Sequence, residues 1–156
     1  MKKIFYPILL LILICLISCS SKKDKKDDIN SLEAENGIII SGNTFNDDNV
    51  FTASISNDSA TLSTYSSLLG EDYTAVLELT LSLSNRAEGA YTITIPASLL
   101  EAYTIKIDEV SIFLYQSDLS ICDITLGDDN ISFNTTSFGV FVLAKSNYNW
   151  SPIIWD

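Results

Sequence analysis

The chain has 156 residues, 47% of them hydrophobic and 19% charged, which suits one folded domain and excludes a disordered tail. Nine Lys plus Arg against twenty Asp plus Glu give a net charge of −11, which argues against a nucleic-acid-binding surface, because that needs clustered cations. No histidine is present, so the usual general base and the commonest metal ligand are both missing.

In chain order, Lys2 and Lys3 precede an apolar run from Ile4 to Ile17, followed by Ser18 and Cys19. A helix over such a run spans about 21 Å, short of the roughly 30 Å hydrocarbon core of a bilayer. A short apolar run behind a positive start, closed by a small residue, reads as a secretory signal and not as a membrane span.

The stretch Leu16-Ile17-Ser18-Cys19 resembles the lipobox of bacterial lipoproteins. The resemblance covers the first twenty or so residues. It implies cleavage after Ser18, a diacylglyceryl group on the Cys19 sulfur and acylation of the new amino terminus. More than one acyl chain anchors stably where a single chain is marginal. Ser20 and not Asp follows the cysteine, which is similar to outer-membrane sorting in diderm bacteria. Lys26-Asp27-Asp28 resembles the charged surface-export signals of some of them, and leaves periplasmic and surface orientations both open.

The expected organisation is a signal peptide over 1–18, a lipidated cysteine with a flexible charged tether over 19–35, and an acidic all-β domain over 36–156. The tether holds Lys22, Lys23, Lys25 and Lys26 and almost no apolar side chain, so it has little to bury. Beyond it only Arg86, Lys106 and Lys145 are basic, against fifteen acidic residues, a net of −12.

In the domain the pattern has period 2. From Tyr73 to Leu83 the residues Tyr73, Ala75, Leu77, Leu79, Leu81 and Leu83 alternate with Thr74, Val76, Glu78, Thr80 and Ser82, as in a strand with one buried face. The same alternation marks Phe51–Ile55, Tyr91–Ile95, Tyr103–Ile107 and Val110–Leu114, with a bulge or tight turn at Asp108-Glu109. Cys122–Leu126 and Ile131–Phe133 flank Gly127-Asp128-Asp129-Asn130, which has hairpin chemistry. Phe138–Ala144 is apolar on both faces apart from Gly139, as a central strand is. Pro96–Ala102 predicts a single helical turn opened by Pro96. Leu62, Tyr65 and Leu69 are helically spaced, but their Ser/Thr-rich setting predicts strand or loop. Eight or nine short strands predict an antiparallel β-sandwich, Ig-like or similar, with a small up-and-down barrel as the alternative.

The chemistry of the domain is sparse. A Ser-His-Asp arrangement is impossible without histidine. Ser20 and Lys23 have Ser-x-x-Lys spacing, but in a tether with nothing to hold their geometry. Asp108 and Glu109, adjacent on a strand, point to opposite faces and cannot flank one bond. Cys122 has no base or cation beside it in sequence and reads as a buried, inert thiol. No catalytic residue, cofactor or metal is assigned. Two acidic loops, Asp47 with Asp48 and Asp128 with Asp129, read as turn chemistry, with a calcium site as the alternative. Both tryptophans fall in the C-terminal segment, where Tyr148, Trp150 and Trp155 either close the core or contact a partner.

The expectation is a non-enzymatic lipoprotein, anchored in the outer membrane through Cys19, whose sandwich binds an envelope protein or a glycan and no nucleic acid. The rivals are a lipocalin-like carrier of a small apolar ligand, which needs a central cavity of roughly 300 Å³ or more, and a structural subunit of an envelope complex.

Overall fold

The computed structural model describes residues 29–147. The signal, Cys19, most of the tether, and Tyr148, Trp150 and Trp155 therefore lie outside the described residues. Ten strands run through the described stretch: β1 (Ile29–Glu33), β2 (Ile39–Phe45), β3 (Phe51–Ser56), β4 (Tyr73–Leu83), β5 (Tyr91–Pro96), β6 (Val110–Tyr115), β7 (Leu119–Ile121), β8 (Ile124–Leu126), β9 (Asn130–Thr135) and β10 (Gly139–Ser146). Helix α1 (Ser59–Leu69) lies between β3 and β4, and the short α2 (Ala97–Glu101) follows β5. Two five-stranded antiparallel sheets, ordered β1-β2-β5-β9-β8 and β3-β4-β10-β6-β7, pack face to face as a sandwich. They do not close into a barrel.

The inner faces are built from the period-2 residues. Leu77, Leu79, Leu81, Phe141, Ile112 and Leu143 of one sheet meet Ile40, Ile93, Ile95, Ile131 and Phe133 of the other, each at most 2% exposed. Phe133 and Phe141 join the sheets ring to ring, with centroids 5.1 Å apart. Burying one such aliphatic or aromatic side chain stabilises by about 1.5–3 kcal/mol. Among the described residues both hydrophobic clusters lie between Ile29 and Ala144, and a chain beginning at Ser20 keeps all of these core residues.

Strand β10 sits between β4 and β6, as its two apolar faces predict. Phe141 and Leu143 point into the main core, whereas Val142 and Ala144 join a second cluster with Tyr65, Ala75 and Phe113. The alternation of β4 needs one correction. Leu143 pairs with Leu77 but Ala144 pairs with Ala75, which leaves Val76 as a bulged extra residue. The bulge reverses the phase, so Tyr73 and Ala75 belong to the second cluster while Leu77 to Leu83 face the main core.

Four further expectations are corrected. Ser59–Leu69 is a helix despite its hydroxyls. The Asp58 carboxylate caps it by accepting from the Thr61 N–H at 2.9 Å, and Thr64, Ser66 and Ser67 donate to carbonyls four residues back. Its Leu62, Tyr65 and Leu69 cover the outer face of the second sheet. Tyr103–Ile107 is not a strand. The Ile105 N–H bonds the Leu100 carbonyl and the Thr104 N–H bonds that of Glu101, a Schellman stop to α2 with Thr104 at φ 61°, and Ile105 turns into the core. Pro96 precedes α2 as its cap and is not its first residue.

The fourth correction moves the domain boundary. Ile29–Glu33, expected within the tether, pairs with β2 as an edge strand, and Ile29 and Leu32 pack on the core. Strand β2 bends at Gly42, whose φ of 98° suits glycine alone, and a Cβ there would meet the Ala90 carbonyl at 3.3 Å. Pairing of β2 with β5 accordingly covers only Ile39–Ser41.

Candidate functional site

Strand register gives the sandwich two distinct ends. Ile29 pairs with Phe45, so the chain enters the first sheet beside the β2–β3 loop. Asn49 ties that loop to the β4–β5 loop by donating to the Ser84 and Asn85 carbonyls at 2.8 and 3.1 Å. At the other end lie the start of β4, the end of β10 and the β8–β9 hairpin. Asn147 is fixed there: its N–H donates to the Asp72 carbonyl, its side-chain amide to the Glu71 carbonyl, and its Oδ1 accepts from Thr74. The chain thus leaves for Tyr148, Trp150 and Trp155 at the end opposite its entry.

The two acidic loops fall at these opposite ends and cannot form one site. In the first, Asn46 Oδ1 accepts from the Asp48 N–H at 2.9 Å and the Asp48 carbonyl accepts from Ser84 and Asn85, so Asp47 and Asp48 ride on an asparagine-built turn. In the second, the Gly127 N–H bonds the Asn130 carbonyl at 2.8 Å, closing the hairpin that carries Asp128 and Asp129. Among the described residues no three Cys, Asp or Glu side chains are placed to hold a metal ion.

Asp108 and Glu109 lie on a single helical turn ahead of β6. Glu109 is paired with Lys106 at 3.2 Å and Lys145 at 3.5 Å, and the hydrogen bond from Lys106 holds its carboxyl below the usual carboxylate range. Cys122 is not on a strand face as expected. It sits half-buried where the chain crosses from β7 in one sheet to β8 in the other, and burial pushes its thiol up, which disfavours the nucleophilic thiolate.

A concave site is present where sequence reasoning placed none. A groove of about 350 Å³ runs between the β1–β2 turn and β3, lined by Glu33, Ala34, Glu35, Val50, Phe51, Thr52 and Ala53. The turn forms because the Ala34 N–H bonds the Ile38 carbonyl and Gly37 takes φ 81°. Asn36 then reaches across to donate to the Ala53 carbonyl at 2.9 Å, pinning the turn against β3. Ala34 and Phe51 are buried and form an apolar floor, Val50 is 60% exposed at the rim, and Glu33 and Glu35 form an exposed acidic wall. The sequence signal that finds this site is Asn36-Gly37 between Ile29/Leu32 and Ile38–Ile40, a hairpin dipeptide between apolar runs.

Between the sheets, by contrast, the void lined by Ile38, Ile55, Leu77, Leu79, Ile95, Leu100 and Leu143 measures about 10 Å³, room for one water at most. Comparison of the chain with known protein families, with curated proteins and with solved structures finds no match.

Proposed function

We propose that the chain is a non-enzymatic lipoprotein of the bacterial outer membrane, held by lipid on Cys19, whose sandwich binds a protein or glycan partner at the envelope or cell surface. The observation that carries this reading is Leu16-Ile17-Ser18-Cys19 behind a short apolar run. Positions 20–28 separate Cys19 from β1, a reach of at most about 30 Å when extended. A carrier of an apolar ligand needs roughly 300 Å³ of enclosed space, and the void between the sheets that the described residues line is about 10 Å³.

The test is Cys19→Ser expressed in a diderm host fed labelled palmitate. The parent chain takes up label and sediments with membranes, and the variant loses the label and becomes soluble. Label retained by the variant overturns lipidation at Cys19. Pull-down from envelope extract then separates the roles: one stoichiometric protein marks a structural subunit, and glycan enrichment marks adhesion. Protease treatment of intact cells removes the domain only where it faces outward.

A further inference from the structure

We propose that the groove between the β1–β2 turn and β3 docks an extended basic segment of a protein partner, taking a lysine or arginine whose apolar stem lies on Ala34 and Phe51 and whose charge meets Glu33 and Glu35. The inference rests on the binding-module reading and names the chemistry of the partner. Three observations carry it.

The first is the composition of the groove. An apolar floor beside two exposed carboxylates fits a side chain that is apolar along its stem and cationic at its tip, because such a chain buries methylenes while its charge stays hydrated. Among the described residues no basic side chain lines the groove. The second is the surrounding field. Residues 29–147 hold three basic against sixteen acidic side chains, a net of −13. All three cations are engaged elsewhere: Arg86 lies 5.7 Å over the Phe138 ring, and Lys106 and Lys145 share Glu109. A cationic segment is therefore steered toward this surface, and an anionic one is repelled.

The third is the backbone. Among the described residues strand β3 pairs only with β4, and its outer side is the edge of its sheet. Asn36 covers the Ala53 carbonyl at that edge, which shows that Ala53 turns its main-chain polar groups outward. An extended segment lying in the groove runs along that edge, the arrangement by which peptides add to sheets.

The experiment titrates the chain from Ser20 to Asp156 with the peptide acetyl-Val-Lys-Val-Lys-Val and with its glutamate counterpart, following backbone amide shifts. The lysine peptide is expected to bind, with the largest shifts over Phe51–Ala53, and the glutamate peptide is expected not to. Glu33→Gln with Glu35→Gln should weaken binding about tenfold, the loss of two exposed ion pairs. Asp128→Asn with Asp129→Asn, on the β8–β9 hairpin, should leave affinity within about twofold by the distance argument of screening. Both double variants change exposed residues, and an unchanged pattern of backbone amide shifts away from the substituted loops verifies their fold.

Equal loss in both variants overturns the proposal in favour of a general acidic field. So does tighter binding of spermidine than of the peptide, which makes the groove a small-cation site. Binding by a chain begun at Ile29 but not by one begun at Ser20 overturns it too, because the occupant is then the chain's own Lys22–Lys26 run. A natural partner captured equally well by the Glu33/Glu35 variant sinks the groove assignment while leaving the binding-module reading intact.

Discussion

Single residues decide where this chain turns, and Thr104 is the plainest case. It holds φ 61°, a left-handed conformation that is unfavourable for a β-branched side chain. The position is kept because the Schellman bonds at Leu100 and Glu101 end α2 there, and because the Lys145 ammonium donates to the Thr104 carbonyl at 3.1 Å. Left-handed backbone is less favourable by roughly 1–2 kcal/mol for an L-residue, and glycine returns about half of that through its looser unfolded chain. Thr104→Gly should therefore stabilise the domain by about 0.5–1 kcal/mol, read as a higher urea midpoint at unchanged slope. A lower midpoint would show that the threonine side chain contributes more than the strain removes. Thr104 also explains why the alternation Tyr103-Ile105-Ile107 misleads. Ile105 is buried by a reversal of the chain and not by a sheet, and nothing in the sequence marks a threonine as left-handed.

At the scale of elements, legibility follows the physics that forms each one. Strands β4, β5, β6 and β10 are plain in the sequence because each packs an alternating or doubly apolar face that no helix would display. Helix α1 is hidden because its Ser and Thr residues are weak helix formers, and what rescues it is an Asp58 cap and one packed stripe. The groove is hidden for a different reason: its two walls come from Glu33–Glu35 and Val50–Ala53, and the first lies in a stretch whose charge suggests a tether. Docking of α1 can be tested at Tyr65. Its hydroxyl donates to Glu78 Oε2 at 2.6 Å across the helix–sheet contact, and its ring meets Tyr115 edge-on at 5.2 Å. Tyr65→Phe keeps the ring and removes the donor, and a hydrogen bond to a charged acceptor contributes about 1.5–3 kcal/mol. Burial first, then the bond and charge of Glu78, push the Tyr65 phenol up from 10.0 to about 12. The folded state thus holds this proton more tightly than the unfolded chain does. Its stabilising contribution is whole below pH 10 and is lost as pH rises toward 12. The phenylalanine variant should be weaker at pH 7 and decline less steeply over that alkaline window, as followed by denaturant midpoints. Parallel pH profiles for the two proteins would remove the Glu78 contact from the account.

The whole molecule is governed by an imbalance of charge that its fold does nothing to cancel. Sixteen carboxylates face three cations within residues 29–147, and two of those cations converge on the same Glu109. A domain of this length has a radius of gyration of about 13–14 Å. At about 10 mM salt the screening length is roughly 30 Å, so carboxylates repel one another across the entire domain, whereas at about 150 mM it is roughly 8 Å and only neighbours interact. Ion pairs that stabilise would lose strength over the same range, which makes the sign of the salt effect decisive. With repulsion dominant, the thermal midpoint at pH 7 should rise as salt increases. The rise should shrink near pH 4, where the carboxylates begin to take up protons. A midpoint that falls with salt would show that local pairs such as Lys106–Glu109 outweigh the field, and would also weaken the case for steering a basic partner. The same field sets the expected kinetics of docking: association of a lysine peptide should slow steeply with salt while its dissociation changes little, because long-range attraction acts on encounter and not on the packed contact.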